Sequence, residues 1–411
     1  MLRWTEPGIG EAIVDIVLSI SEQTKKLHDD SVALASYSTV RATLKSFDEI
    51  GSKLDEVDAY IRNMEGHPGA YLRSMTNAFR YFARSLQGDE IPYDVLLANI
   101  QELPSKLIPE SKLLMLQEKT DKGLTDQGYT GSFREKVHSW LEETLIPPEQ
   151  VTKVAEAFML MGKKGTLERI IGLPEEDGID EIKSVKDVFW SGYSRYNGGY
   201  KGDLTFNISR PWSEPTFAQV LTHESYPGHQ TFYCRWDYLY LLDKLPIEAS
   251  YYMVNSPTNA LFEGGPETAL HFLGWDSEAE DGHEVPREAK ARYAVARNLL
   301  DFQRITQTNA CFLTNVHGAD KKEAIDYMME KGAMNEVEAQ NSYRFFTDPI
   351  QKTYYPSYYF GRWMVGKSYD MIPRNKRQEY FGILYDTPHT TNTFINSIKD
   401  LTGKSFDPFE Y

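Results

Sequence analysis

Residues 223–229 read H-E-S-Y-P-G-H. A histidine followed directly by glutamate, with a second histidine close behind, is the residue set of a hydrolytic zinc site. Two imidazoles ligate the ion, and the glutamate next to the first serves as general base for an attacking water. The spacing is the obstacle. In H-E-x-x-H the histidines are four apart, about 40° around a helix axis, whereas residues six apart lie about 240° around it. An unbroken helix would therefore aim His223 and His229 in different directions. Pro227 and Gly228 remove the difficulty. A proline ring clashes with the carbonyl four residues back, here that of His223, and glycine adopts backbone angles closed to other residues. The helix carrying "TFAQVLTHESY" is thus expected to stop near Tyr226 and to break before His229, returning His229 to the metal, with Glu224 as the base.

Such a centre needs a third protein ligand. The segment "NALFEGGPETALHF" offers Glu263, Glu267 and His271 at i, i+4 and i+8, one helical face if Pro266 does not break it. Two glycines follow Glu263 and admit close approach of another backbone. Two imidazoles and a carboxylate favour Zn²⁺, and Mn²⁺ or Co²⁺ accept similar ligands.

The elements that must position these residues are mostly helical. Residues 10 to about 120 follow a helical period, as in "YLRSMTNAFRYFARSL". The cluster "TDQGYTG" (125–131) marks a boundary between an N-terminal helical lobe, 1–125, and a lobe carrying the zinc site, 126–411, packed as one unit. "SFREKVHSWLEETL" and "PEQVTKVAEAFMLMGKKG" continue as helices, the latter with Pro148 near its first turn. The exception is 197–210, where "DLTFNIS" alternates like a strand; it is expected to form either an exposed edge that could pair with an extended peptide or a hairpin capping the core. A long helix over 287–316 carries Val295, Leu299, Phe302 and Ile305 on one stripe. Asn335 with Glu338 makes a capping box. The expected fold is mainly α with one small β element.

Composition narrows the function. The chain has 411 residues and a formal net charge of −16, which argues against nucleic acid as partner. Its two cysteines, Cys234 and Cys311, give no disulfide framework. "IGEAIVDIVLSI" is interrupted by Glu11 and Asp15 and reads as an amphipathic helix, not a signal peptide. No apolar run is long enough to span a membrane, and the expected location is cytoplasmic.

"LTHESYPGHQ" resembles the H-E-x-x-P-G-H signature of the domain-of-unknown-function 885 family, which looks distantly related to the gluzincin zinc peptidases. "LFEGGPETAL" resembles that family's F-x-E-G-W-A segment. It places Glu263 on the family's glutamate ligand, with Gly265 in place of tryptophan and Pro266 as a departure. "YYPSYYFGR" partly matches a late P-G-Q-A-x-x-Y-x-x-G stretch through Tyr358 and Gly361, and "YRFFTDP" places Arg344 on a family arginine. The likeness spans about 200 to 365. It implies His223, His229 and Glu263 as ligands in a gluzincin-like cleft between two packed helical lobes. Tyr358 is the first choice for steadying the oxyanion, with Arg344 and Tyr359 behind it. Glu267 or His271 would orient a ligand, and Arg344, Arg362 or Lys367 could hold a substrate carboxylate. The implied activity is a metallopeptidase acting on short peptides. A hydrolase of small amides or esters, or a metal-binding protein without turnover, are the alternatives.

Overall fold

Amphipathic periodicity organises the first third of the chain. In this computed structural model, which describes residues 1–188 and 190–410, α1 (Ile9–His28) buries Ile13, Ile16, Val17 and Ile20. That is the three-and-four spacing of one helical face. A short strand, β1 (Ala33–Ser36), follows; four residues carry too little periodicity to stand out from the helical pattern around them. Then come α2 (Phe47–Ile61), α3 (Gly66–Leu86), α4 (Tyr93–Ile100), α5 (Glu110–Asp126), α6 (Phe133–Glu143) and α7 (Val151–Arg169). Ser132 and Glu135 close a capping box at the start of α6, and Pro148 sits in a single 3₁₀ turn leading into α7. The turn at 125–131 joins α5 to α6, and one hydrophobic cluster runs across it from Ile13 to Phe406.

The chain then builds a three-stranded sheet from β2 (Gly178–Val185), β3 (Gly192–Gly198) and β4 (Lys201–Asn207). The order is β2–β4–β3, with β4 parallel to β2 and antiparallel to β3. Leu204 and Phe206 are buried on alternate positions of β4, as the pattern of "DLTFNIS" requires. The expectation of an exposed edge there is corrected: β4 is the central strand, and β2 and β3 are the edges. The reason is β2, whose residues are half-buried or exposed and show no clean alternation.

The remaining elements are α8 (Glu214–Glu224), α9 (His229–Leu241), β5 (Tyr251–Met253), α10 (Asn259–Glu267), α11 (Ala269–Phe272), α12 (Arg287–Asn315), α13 (Lys321–Gly332), α14 (Glu336–Thr347), α15 (Ser357–Met371), α16 (Arg377–Asp386) and α17 (Thr391–Thr402). β5 pairs antiparallel with β1. The α12 stripe Val295, Leu299, Phe302 and Ile305 is buried, and the Asn335–Glu338 capping box forms at α14. The fold is mainly α with a small sheet. Among the described residues, no helix is long and apolar enough to cross a membrane.

Two of these helices meet without intervening side chains. α10 and α15 cross backbone to backbone at Gly264 and Gly361. A Cβ on Gly264 would lie 2.4 Å from the Gly361 carbonyl oxygen, and one on Gly361 would lie 2.1 Å from that of Ala260. Neither contact admits a side chain, so these glycines bring the helix carrying Glu263 against the helix carrying Tyr358. Gly361→Ala must push the helices apart. We expect it to lower stability by about 1–3 kcal/mol, measured by urea unfolding. An unchanged midpoint would show that the crossing is not tight.

Candidate metal centre

The helix break expected in H-E-S-Y-P-G-H is present. α8 ends at Glu224, Ser225 leaves the helical region (φ −107°, ψ −103°), and α9 begins at His229. The break opens one residue earlier than Tyr226. Gly228 is required by close approach: a Cβ there would stand 1.8 Å from the His223 carbonyl oxygen. Its N–H donates to the Thr222 carbonyl at 3.1 Å. The turn between the helices, which contains a cis Tyr226–Pro227 peptide, is pinned from both sides. The Tyr226 hydroxyl donates to Asp177 at 2.7 Å, and the Tyr385 hydroxyl donates to the Pro227 carbonyl at 2.7 Å. Asp177 is buried and further held by Lys163 and Gln230, each at 2.9 Å. The two imidazoles end 4.7 Å apart between ring centres and nearly perpendicular, at 87°.

Of the three residues that spacing alone left open, Glu263 is the one that faces both imidazoles. One carboxylate oxygen lies 3.4 Å from His223 Nε2 and the other 3.6 Å from His229 Nε2. Ligands bound tetrahedrally to one zinc at ordinary bond lengths are about 3.3 Å apart, so Glu263 reaches each imidazole at about ligand spacing, through a different oxygen for each. The Glu263 Oε2 atom is buried without a hydrogen-bond partner, as a metal ligand would be before loading. Each imidazole keeps 11% of its side-chain exposure, enough to leave a coordination position open. Glu267 stands behind His223, 3.7 Å from Nδ1, beyond hydrogen-bonding distance. Arg304 pairs with Glu267 at 2.5 Å, and the Tyr354 hydroxyl donates to Glu263.

Glu224 belongs to the same cluster, since ligand atoms of His223, Glu224 and His229 all lie within 4.8 Å of one another. Its surroundings differ from those of Glu263. The Ser194 backbone N–H of β3 bonds to it, and the Cβ position of Gly192 is 3.3 Å from its Cγ. Burial pushes its carboxyl up to about 7, opposed by His223 and reinforced by Glu263 and Glu267. A desolvated carboxylate with raised proton affinity is suited to general-base work. Burial also works against charge on His223, but the surrounding carboxylates outweigh it and push the ring up to about 9. Burial and the neighbouring His223 hold His229 well below its ordinary value.

The other residues singled out by sequence divide. Tyr358 lies on the cluster, stacked on His223 at 6.3 Å and 21°, with the Arg304 guanidinium over its ring at 4.5 Å from the centre. Arg344 is an exposed residue on the last turn of α14, next to Phe345, which packs on Tyr358 at 6.2 Å. Tyr359 is buried and stacks on Trp363. His271 does not orient a ligand: α10 runs through Pro266 and stops at Glu267, and His271 bonds Asp276 at 3.1 Å and Asp370 at 2.8 Å. Arg362 is committed to Asp301 at 3.1 Å and Thr268 at 3.2 Å, and Lys367 donates to the Asp407 carbonyl at 3.2 Å. Sequence reading passed over Arg304, Tyr354, Asp177 and Ser194. Arg304 lies in a helix that reads as core, and Asp177 lies in the turn "EEDG", which reads as solvated.

No protein-family model and no curated protein matches the chain. Solved structures do share its fold. One is a candidate lipoprotein from Colwellia psychrerythraea, at 14% identity and a TM-score of 0.57, aligned over 93% of this chain and 69% of that one. Another is a candidate lipoprotein of unknown function from Shewanella oneidensis, at 13% identity and a TM-score of 0.51, over 97% and 74%. At these identities the likeness is one of architecture alone.

The closeness at Gly228 makes the cluster sensitive to a single methyl group. If the cluster takes up zinc, Gly228→Ala should abolish stoichiometric uptake, read by elemental analysis of the purified protein, because the new methyl group and the His223 carbonyl cannot occupy the same place. His271 provides a pH signature apart from the cluster. Burial disfavours its charge, yet Asp276 and Asp370 raise it to about 9 from 6.5. Its charged form therefore stabilises the fold fully below pH 6.5 and loses that contribution as pH rises through about 9. His271→Gln should be less stable than the wild type at pH 6, and the gap should close by about pH 10. A gap independent of pH would contradict this.

Proposed function

We propose that this protein is a metal-dependent hydrolase, with zinc as the metal and peptide bonds of short peptides as the substrate. The observation that supports the reading is the convergence of His223, His229 and Glu263 from three different helices, with a Glu263 oxygen 3.4 Å from one imidazole nitrogen and 3.6 Å from the other. The resemblance of "LTHESYPGHQ" and "LFEGGPETAL" to the domain-of-unknown-function 885 family supports the same assignment.

When bound, zinc would polarise a substrate carbonyl and lower the pKa of water toward neutrality. The chain's own residues supply the rest. Glu224, desolvated and fixed by the Ser194 N–H, takes the proton of the attacking water on its carboxylate and passes it to the leaving nitrogen. Tyr358, stacked on His223, would donate its hydroxyl to the developing oxyanion. Arg304, 4.5 Å from the Tyr358 ring, adds positive potential on that side. The edge strand β3 passes directly beside Glu224, and its open backbone groups can pair with an extended peptide. This edge favours a peptide over a small ester or non-peptide amide.

The test is metal content combined with one substitution. The wild type should bind about one zinc per chain. Glu224→Gln should retain it and lose hydrolysis of a mixed peptide library by roughly a hundredfold or more. A wild type that takes up no divalent metal would overturn the reading, and a Glu224→Gln variant with full activity would remove the base from it.

A further inference from the structure

The two oxygens of Glu263 have different surroundings. Oε1 accepts a hydrogen bond from the Tyr354 hydroxyl. Oε2, the oxygen nearer His223, is buried without a hydrogen-bond partner. Native structures pair nearly all of their buried polar atoms, so an open acceptor beside an occupied one calls for an occupant of its own. A carboxylate can offer a metal one oxygen or both, and here the protein has already used one of them.

Tyr354 is fixed in this position. It is buried, in the turn that leads into α15. The close crossing at Gly264 and Gly361 sets α15 against α10, which brings the turn to Glu263. Asn255 ties the turn down: it donates to the Ile350 carbonyl at 2.7 Å and accepts from the Thr353 hydroxyl at 2.8 Å. The Ser357 hydroxyl donates to the Tyr354 carbonyl at 2.6 Å. The Tyr354 ring packs edge-on against Tyr358, 5.5 Å between centres and 78° apart. A side chain held by its backbone and by its ring cannot easily swing away from Oε1. How many oxygens Glu263 gives matters for the ion. Larger ions such as Mn²⁺ and Ca²⁺ take six or more donors and accept both oxygens of a carboxylate. A hydrolytic zinc centre takes three protein atoms and keeps one position for water.

We infer that Tyr354 is a positioning residue of the metal centre: its hydroxyl occupies Glu263 Oε1, so that Glu263 offers the ion Oε2 alone and the site selects four-coordinate zinc over manganese. The inference rests on the metal-site reading above and extends it from which residues bind the ion to how many atoms they offer. Tyr354→Phe keeps the ring against Tyr358 and removes only the donor. Oε1 is then a second buried acceptor without a partner, and binding through both oxygens becomes the way to satisfy it.

The experiment loads the full-length protein with Co²⁺ and records visible absorption, which is strong for a four-coordinate ion and weak for five or six donors. The wild type should give the strong spectrum, and X-ray absorption on the zinc-loaded wild type should count four donors. Tyr354→Phe should still bind about one cobalt per chain, with absorption per bound ion lowered by roughly twofold or more. Its preference for Zn²⁺ over Mn²⁺, read by competition, should fall by about tenfold. A wild-type ion with five or more donors overturns the inference, whether or not the variant folds. A Tyr354→Phe protein with the wild-type spectrum and the wild-type preference overturns it and leaves the metal site standing. Loss of all metal from folded Tyr354→Phe overturns it in favour of a hydroxyl that only holds Glu263 in place. If the wild type takes up neither zinc nor cobalt, the metal reading fails and this inference falls with it.

Discussion

At Gly228 two stretches of backbone touch. A methyl group there would sit 1.8 Å from the His223 carbonyl oxygen, so α9 can begin beside the end of α8 only if no side chain stands between them. This contact sets the angle between the two helices and hence the perpendicular imidazoles. The same economy of space recurs at Gly264 and Gly361, where α10 and α15 cross and Glu263 is carried to its place. The cluster is assembled from the ends and crossings of helices, at points where glycine lets main chains approach more closely than side chains allow.

The charge balance of the cluster points the same way. Glu224, Glu263 and Glu267 are buried together, and the one permanently charged cation paired within the group is Arg304, on Glu267. Buried carboxylates in such excess are costly unless protonated or matched by positive charge. Burial first, and then Glu263 and Glu267, raise Glu224, while the surrounding carboxylates outweigh burial and raise His223. A divalent ion would supply the balancing charge directly.

Much of this was legible in the sequence, for a physical reason. Pro227 and Gly228 act through local backbone sterics, which do not depend on the rest of the fold, so the break could be read from seven letters. The helical period of α12 and the cap at α14 are local in the same sense. What could not be read depends on contacts distant along the chain. The β1–β5 pair joins residues more than two hundred apart, and β2 carries too little alternation to announce itself. His271 shares a helical face with Glu263 by spacing, but α10 ends at Glu267 and Asp276 and Asp370 take the ring elsewhere. Tyr354 gave no signal at all, because its meaning comes from Glu263, 91 residues away.

The turn that sets the two imidazoles is held by partners far away in sequence. Tyr226 is tied to Asp177, 49 residues before it, and Pro227 to Tyr385, 158 residues after it. Synthesis adds Tyr385 long after both histidines. The turn can therefore be pinned from both sides only once the chain up to Tyr385 has been made and α16 has docked.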